Sequence, residues 1–255
     1  VLIMGWVGLV TALLGVQTRK TMVKYFSLFL ADESEPKALA VVKLGIGLNL
    51  LLSTVTFALL FIAAPQLSIW LLDNPDGTLF FRMVMLRDFF AATSGTTTTV
   101  LRVLDRFKWL SVFNALSSIA TFVLVSTLLI AGWNLKGYLA AMMLVSAGQS
   151  ITLYLACQRD LRTRYRANWW QADLHTLHEH KHEIKEMLLS LKLDGLRKIA
   201  TDKADVIILG LFADIYNVGL YKMAKQIASY LSRLSNPIYT ALYTEIARLY
   251  HEDGF

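Results

Sequence analysis

Residues 44–72 read LGIGLNLLLSTVTFALLFIAAPQLSIWLL, a run of 29 residues without one charged side chain. A helix crossing a bilayer needs about 20 apolar residues at about 1.5 Å of rise each, so this block alone is long enough to span. Two further blocks, Trp109 to Leu135 and Gly137 to Gln158, have the same character. Over its 255 residues the chain is 55% apolar and 17% charged, against about 25% charged in ordinary soluble domains. That balance argues against a soluble enzyme. A single cysteine, Cys157, excludes an intramolecular disulfide, and four prolines without a low-complexity tract leave little room for disorder.

Working outward from residues 44–72, the expected fold class is all-α, a polytopic transmembrane helix bundle. Seven spans are expected, at about 1–17, 38–64, 79–101, 109–131, 137–157, 188–213 and 217–243. The chain opens on VLIMGWVGLV, without an initiator Met, a basic leader or a small-residue cleavage site, and stops at HEDGF. It reads as an internal segment of a longer membrane protein.

Loop charges test the alternation independently of hydropathy. One set of loops holds Arg19, Lys20, Lys24 and Lys37, then Arg102, Arg106 and Lys108, then Arg159, Arg162, Arg164, Arg166, Lys181 and Lys185. The opposite loops hold only Lys136. Because basic residues are retained on the cytoplasmic side, the first set is expected in the cytoplasm. The net charge of +6 is thereby explained at span ends, without nucleic acid.

Charges inside spans are costly in lipid and therefore informative. In the third span, LFFRMVMLRDFFAATSGTTTTV, Arg87 lies well inside, next to Asp88. At 100° per residue it shares a small, polar stripe with Ala91, Ser94 and Thr98. The stripe suits a water-filled cavity; alternatively Arg82 and Arg87 reach outward while Thr96–Thr99 pack against a neighbouring helix. In the sixth span Asp194, Lys198, Asp202 and Asp205 fall on one side as an i, i+4 acid–base ladder. Such a ladder suits cation coupling or cavity salt bridges, or else this half lies along the interface. In the seventh, Lys222, Lys225, Ser229, Arg233 and Asn236 share a face with three cations and no acid. That face is expected to be a cationic cavity wall attracting an anion, the alternative being a solvated amphipathic helix. Pro237 would bend it, and Tyr230, Tyr239 and Tyr243 would supply apolar walls with polar tips.

Two stretches carry a family resemblance. TDKADVIILGLFADIYNVGLYKMAKQIASYLSRLSNPIYTALYTEIARLYHEDG, from Thr201, and VLRVLDRFKWLSVFNALSSIATFVL, from Val100, resemble the charged-helix, "ILG", "VGLY" and "LR-G-L-D-R-F" segments of bacterial polysaccharide transporters. Val103 stands where many relatives carry Gly. The chain is thus similar to the Wzx-like oligosaccharide flippases of the multidrug/oligosaccharidyl-lipid/polysaccharide exporter superfamily. The resemblance implies a two-repeat fold around a central cavity. Residues 1–157 would be spans two to six of the first half, 158–187 a cytoplasmic basic and His-rich linker, and 188–255 the start of the second half. It further implies a multi-pass protein of the bacterial inner membrane that moves undecaprenyl-pyrophosphate-linked sugar units by alternating access for O-antigen-type polysaccharide. A polysaccharide polymerase machinery and membrane lipids would be its partners, with no nucleic acid. Charge joins the two readings, since Arg87, Lys222, Lys225 and Arg233 would meet the pyrophosphate. Asp88, Asp194, Lys198, Asp202 and Asp205 are candidates for proton or sodium coupling, or for salt bridges. No catalytic residue, resident metal or cofactor is expected.

Other classes stay in view. His178-Glu179-His180-Lys181-His182 formally matches the H-E-x-x-H zinc signature, with His175 as a third ligand, but a His/Glu-rich connector produces such a match by chance. Trp169 and Trp170 beside a basic stretch read as an interfacial anchor. No G-x-x-x-x-G-K-[ST] loop occurs, so ATP is not the obvious energy source. The alternatives are another exporter of the superfamily, carrying drugs or a peptidoglycan precursor, or a membrane-embedded glycan polymerase or metalloprotease.

Overall fold

The computed structural model describes residues 2–16, 18–72, 74–165, 168–202, 204–213 and 216–230, which are helices joined by short turns, with no strand among them. Helices α1 (Leu2–Leu14) and α2 (Thr18–Ala31) run in series, and α3 (Glu35–Leu72) returns beside both. Helix α4 (Gly77–Phe90), a 3-10 turn at Ala91–Thr93 and α5 (Ser94–Val103) make the next arm. Helices α6 (Phe107–Ile130) and α7 (Asn134–Tyr165) complete the antiparallel set, and a 3-10 segment at Leu174–His180 leads into α8 (Lys181–Asp202) and α9 (Ala204–Phe212). A tenth helix, α10, occupies residues 216–230. Among the described residues α3, α6 and α7 are long and apolar enough to cross a membrane.

Burial divides the bundle into two cores. At one end Met22, Tyr25, Phe26 and Phe29 of α2 pack with Val42 and Ile46 of α3, Val100 and Leu101 of α5, Leu153 and Leu161 of α7, and Ile184 of α8. At the other, Val7 of α1 meets Leu60 and Ala64 of α3, Phe81 and Val84 of α4, and Leu139 of α7. Gly45 lets three helices converge, since a Cβ there would collide with the Met22 sulfur of α2 and lie 3.2 Å from Thr96 Cγ2 of α5. One turn further on, Asn49 Nδ2 donates to Thr18 Oγ1 at 3.0 Å and to Thr96 Oγ1 at 2.5 Å. That node ties α2, α3 and α5 through groups that would otherwise be buried without partners.

The tight reversals share one mechanism. Helices α2, α5 and α6 each end with a residue in the left-handed region: Glu33 at φ 53°, Asp105 at φ 61° and Gly132 at φ 82°. Each is followed by an amide reaching back five residues, Ser34 to Phe29 O, Arg106 to Leu101 O and Trp133 to Leu128 O, at 2.9, 2.9 and 3.1 Å. These bonds satisfy carbonyls left open at a helix C-terminus. The "LDRF" stretch therefore builds a turn, locked by Arg106 donating from Nε and an Nη to both oxygens of Asp160 on α7, at 2.6 and 3.0 Å.

Several boundaries differ from the sequence expectation. The basic stretch 19–37, read as a loop, is mostly α2 and belongs to the core. The span expected at 1–17 holds a helix of 13 residues, about 20 Å long and short of the roughly 30 Å hydrocarbon layer. Helix α3 continues through Pro65 to Leu72 instead of ending at 64, as neighbours in a bundle permit. Helix α7 runs to Tyr165 and α8 begins at Lys181, inside the stretch 158–187 read as a linker.

Candidate functional site

Two clusters bring charged groups of the expected spans together among the described residues. On α4 the guanidinium of Arg87 lies 3.2 Å from the Asp88 carboxylate, its neighbour in sequence, both side chains more than two-thirds buried. Asp88 also lines a crevice of about 20 Å³ with Thr11 of α1, Ser53 and Thr56 of α3, and Phe89. The polar stripe continuing to Thr98 is interrupted, because the 3-10 turn at Ala91–Thr93 resets the helical phase. Beyond it Thr96, Thr97 and Thr99 are buried, with Thr97 and Thr99 donating to the carbonyls of Thr93 and Gly95. The threonine run thus packs between helices. Arg82 lies outward, 4.5 Å from the centre of the Phe61 ring.

The second cluster joins α9 to α10. Asp205 Oδ2 accepts from Lys225 Nζ at 2.6 Å and from Tyr221 OH at 2.6 Å, while Oδ1 accepts from the Val206 amide at 2.8 Å. The Lys225 and Asp205 side chains are 39% and 33% exposed, so the pair reaches open space and is not sealed into a dry core. The face read as three cations and no acid therefore receives an acid from α9. It is a correction with a simple cause: helical periodicity places residues on one helix, and Asp205 arrives from another. Lys222 is half-buried on α10. Arg233, Asn236, Pro237, Tyr239 and Tyr243 lie outside the described residues.

Of the ladder, Asp194 is exposed on α8. Lys198 and Asp202 continue that helix, and their side chains lie outside what the structure describes. Asp205 lies on α9, where its carboxylate turns to Lys225.

The connector between α7 and α8 holds contacts that hydropathy does not announce. Lys37 bonds Glu179 at 2.8 Å, Lys43 donates to the Ala172 carbonyl at 2.8 Å, and Tyr25 donates to Glu183 at 3.3 Å. Lys37 holds the Glu179 carboxyl below its usual range, and Asp160 raises Arg106 above its own. The imidazole of His180 lies edge-on to Phe29 and Tyr25, His175 stacks on His178, and His182 pairs with Glu186. The H-E-x-x-H residues thus have separate partners. Among the described residues no group of three or more His, Cys, Asp or Glu side chains is placed to hold a metal ion.

A protein family described as "Polysaccharide biosynthesis protein" matches residues 2–249. No curated protein and no solved structure gives a significant match to this chain.

Proposed function

The chain belongs to the polysaccharide biosynthesis protein family, and from that membership we propose that it carries a lipid-linked oligosaccharide, a repeat unit on undecaprenyl pyrophosphate, across the bacterial inner membrane. The observation that carries this reading is the family match over residues 2–249, together with helices of bilayer-spanning length and apolarity. Its work is translocation by alternating access of repeat-related bundles, not bond chemistry.

The cargo sets the physical problem. A pyrophosphate and a hydrated glycan must pass about 30 Å of hydrocarbon, so the path has to offer cations and water. Lys225 and Lys222, with Arg87 and Arg233, are the proposed cations. Asp205 serves as the resting counter-ion of Lys225, which keeps an ammonium from standing alone at membrane depth. An arriving pyrophosphate competes for that ammonium, and the released carboxylate then takes up a proton or a sodium ion. Substrate entry and ion uptake are linked through one lysine, with Tyr221 holding the carboxylate in place.

The test is complementation of a deletion strain, reading lipid-linked repeat units on each leaflet. Deletion should leave the units on the cytoplasmic face. Lys225→Ala should lower export at least about tenfold, as loss of a charge-assisted contact to phosphate implies, without reducing membrane insertion. Asp205→Asn should separate transport from the ion gradient. Translocation that continues unchanged in the deletion strain, with no redundant transporter, would remove the proposal.

A further inference from the structure

A cavity of about 600 Å³ opens where α3, the connector and α8 meet. Its floor is aliphatic, formed by Leu44 and Leu48 of α3, Leu177 of the connector, and Ile184 and Leu188 of α8. Its rim carries Lys181, Lys185 and Lys192, with His175 and His178. On α8 the positions 181, 184, 185, 188 and 192 recur at helical spacing, so one helix face presents ammonium and aliphatic groups along the same groove.

The charges here are sorted. No acid is among the described residues lining the groove; Glu179 faces Lys37, Glu183 faces Tyr25 and Glu186 lies beside His182. Lys181, Lys185 and Lys192 have no ion-pair partner among the described residues. Three ammonium groups above an aliphatic floor are complementary to a molecule with an anionic head and a hydrocarbon tail. A free anion leaves the floor uncovered, and a neutral lipid leaves the cations uncompensated. The groove also lies at the level such a molecule occupies, because Leu44 and Leu48 begin the uncharged run of α3 and Trp169 and Trp170 stand on the connector.

We propose that this groove binds one anionic phospholipid of the bilayer, its phosphate held by Lys181 and Lys185, one turn apart on α8, an acyl chain resting on Leu44, Leu48 and Leu188, and Lys192 adding positive charge about 10 Å further along the groove. The lipid is retained, not transported, and the site shares no residue with the Asp205–Lys225 cluster. It braces α8 against α3 across the connector.

Native mass spectrometry of the purified full chain tests it, titrating phosphatidylglycerol, phosphatidylcholine, a polyprenyl diphosphate and inorganic phosphate. The wild type should retain phosphatidylglycerol over phosphatidylcholine. The triple variant K181Q/K185Q/K192Q should lose that retention by roughly tenfold or more, and Leu48→Trp, which fills the floor at unchanged charge, should lose it too. K20Q/K24Q/K108Q, an equal change of charge on residues outside the groove, should retain it. Equal loss in both triple variants, retention in the groove triple and Leu48→Trp alike, displacement by inorganic phosphate, or a groove that takes polyprenyl diphosphate but not phosphatidylglycerol would each overturn the assignment. All of these are read on purified protein and are independent of the export result.

Discussion

Helices α2 and α6 invert the usual link between hydropathy and burial. Helix α2 carries Arg19, Lys20 and Lys24, yet Thr18, Thr21, Met22, Tyr25, Phe26 and Phe29 are all buried. Helix α6 is apolar nearly all round, yet only Leu110 and Ser117 are buried, and Phe122 is 73% and Ile130 88% exposed. In water an uncovered face of that kind would be an aggregation surface; beside lipid tails it costs nothing. The two helices show that hydropathy here reports the solvent and periodicity reports the packing. A membrane helix is recognised by what surrounds it, whereas a core helix is recognised by the spacing of what it buries.

The comparison breaks most directly by truncating one phenylalanine on each helix. Phe26→Ala should destabilise the purified protein by about 3–5 kcal/mol, because a fully buried ring leaves a cavity in the core that α2 shares with α3 and α5. Phe122→Ala should change stability by less than about 0.5 kcal/mol, as a substitution away from any packed contact does. Thermal unfolding in detergent measures both, and equal effects would abolish the distinction. A second substitution sharpens it by asking what solvent α6 meets. Phe122→Arg on a water-facing helix would be silent, but at the middle of a span it should cost about 2.5 kcal/mol or more. The fraction inserted, read with a membrane-insertion reporter, should fall accordingly.

The same contrast explains what could be read from sequence. Helices α3, α6 and α7 were legible because long uncharged runs leave no alternative, and their cores agree with the expected 38–64, 109–131 and 137–157. Helix α2 looks like a basic loop because its charges dominate any average, although 18, 21, 22, 25, 26 and 29 keep helical spacing. The break at Ala91–Thr93 had no proline or glycine to announce it. In the candidate site, Arg87 and Asp88 meet because they are adjacent, and the pair could have been read directly. Asp205 and Lys225 are twenty residues apart and meet only because α9 and α10 lie side by side, which no periodicity along one helix contains. The groove beside α8 is hidden for a similar reason, since the α1–α2 link, α3, the connector and α8 each supply part of it.

The smallest expected effect concerns what fastens the basic end, where an ion pair adds to the apolar burial of Leu177 in holding the connector to α3. Lys37 depresses the Glu179 carboxyl in the folded chain relative to its usual 4.5. A depressed carboxyl contributes stability that is present above the unfolded value and lost as pH falls through the folded one. Amide exchange over residues 174–180 should therefore accelerate, relative to Glu179→Gln, as pH drops below about 4.5. At neutral pH the wild type should be only slightly slower than the variant, because exposed pairs contribute little, and added salt should narrow that gap. The imidazoles of His178 and His180 lie beside this carboxyl. The variant shares those imidazoles, so the difference between the two profiles isolates Glu179. A wild-type profile that parallels the variant down through the carboxylate range would mean that buried Leu177, Lys43 and the His180 ring hold the connector without the pair.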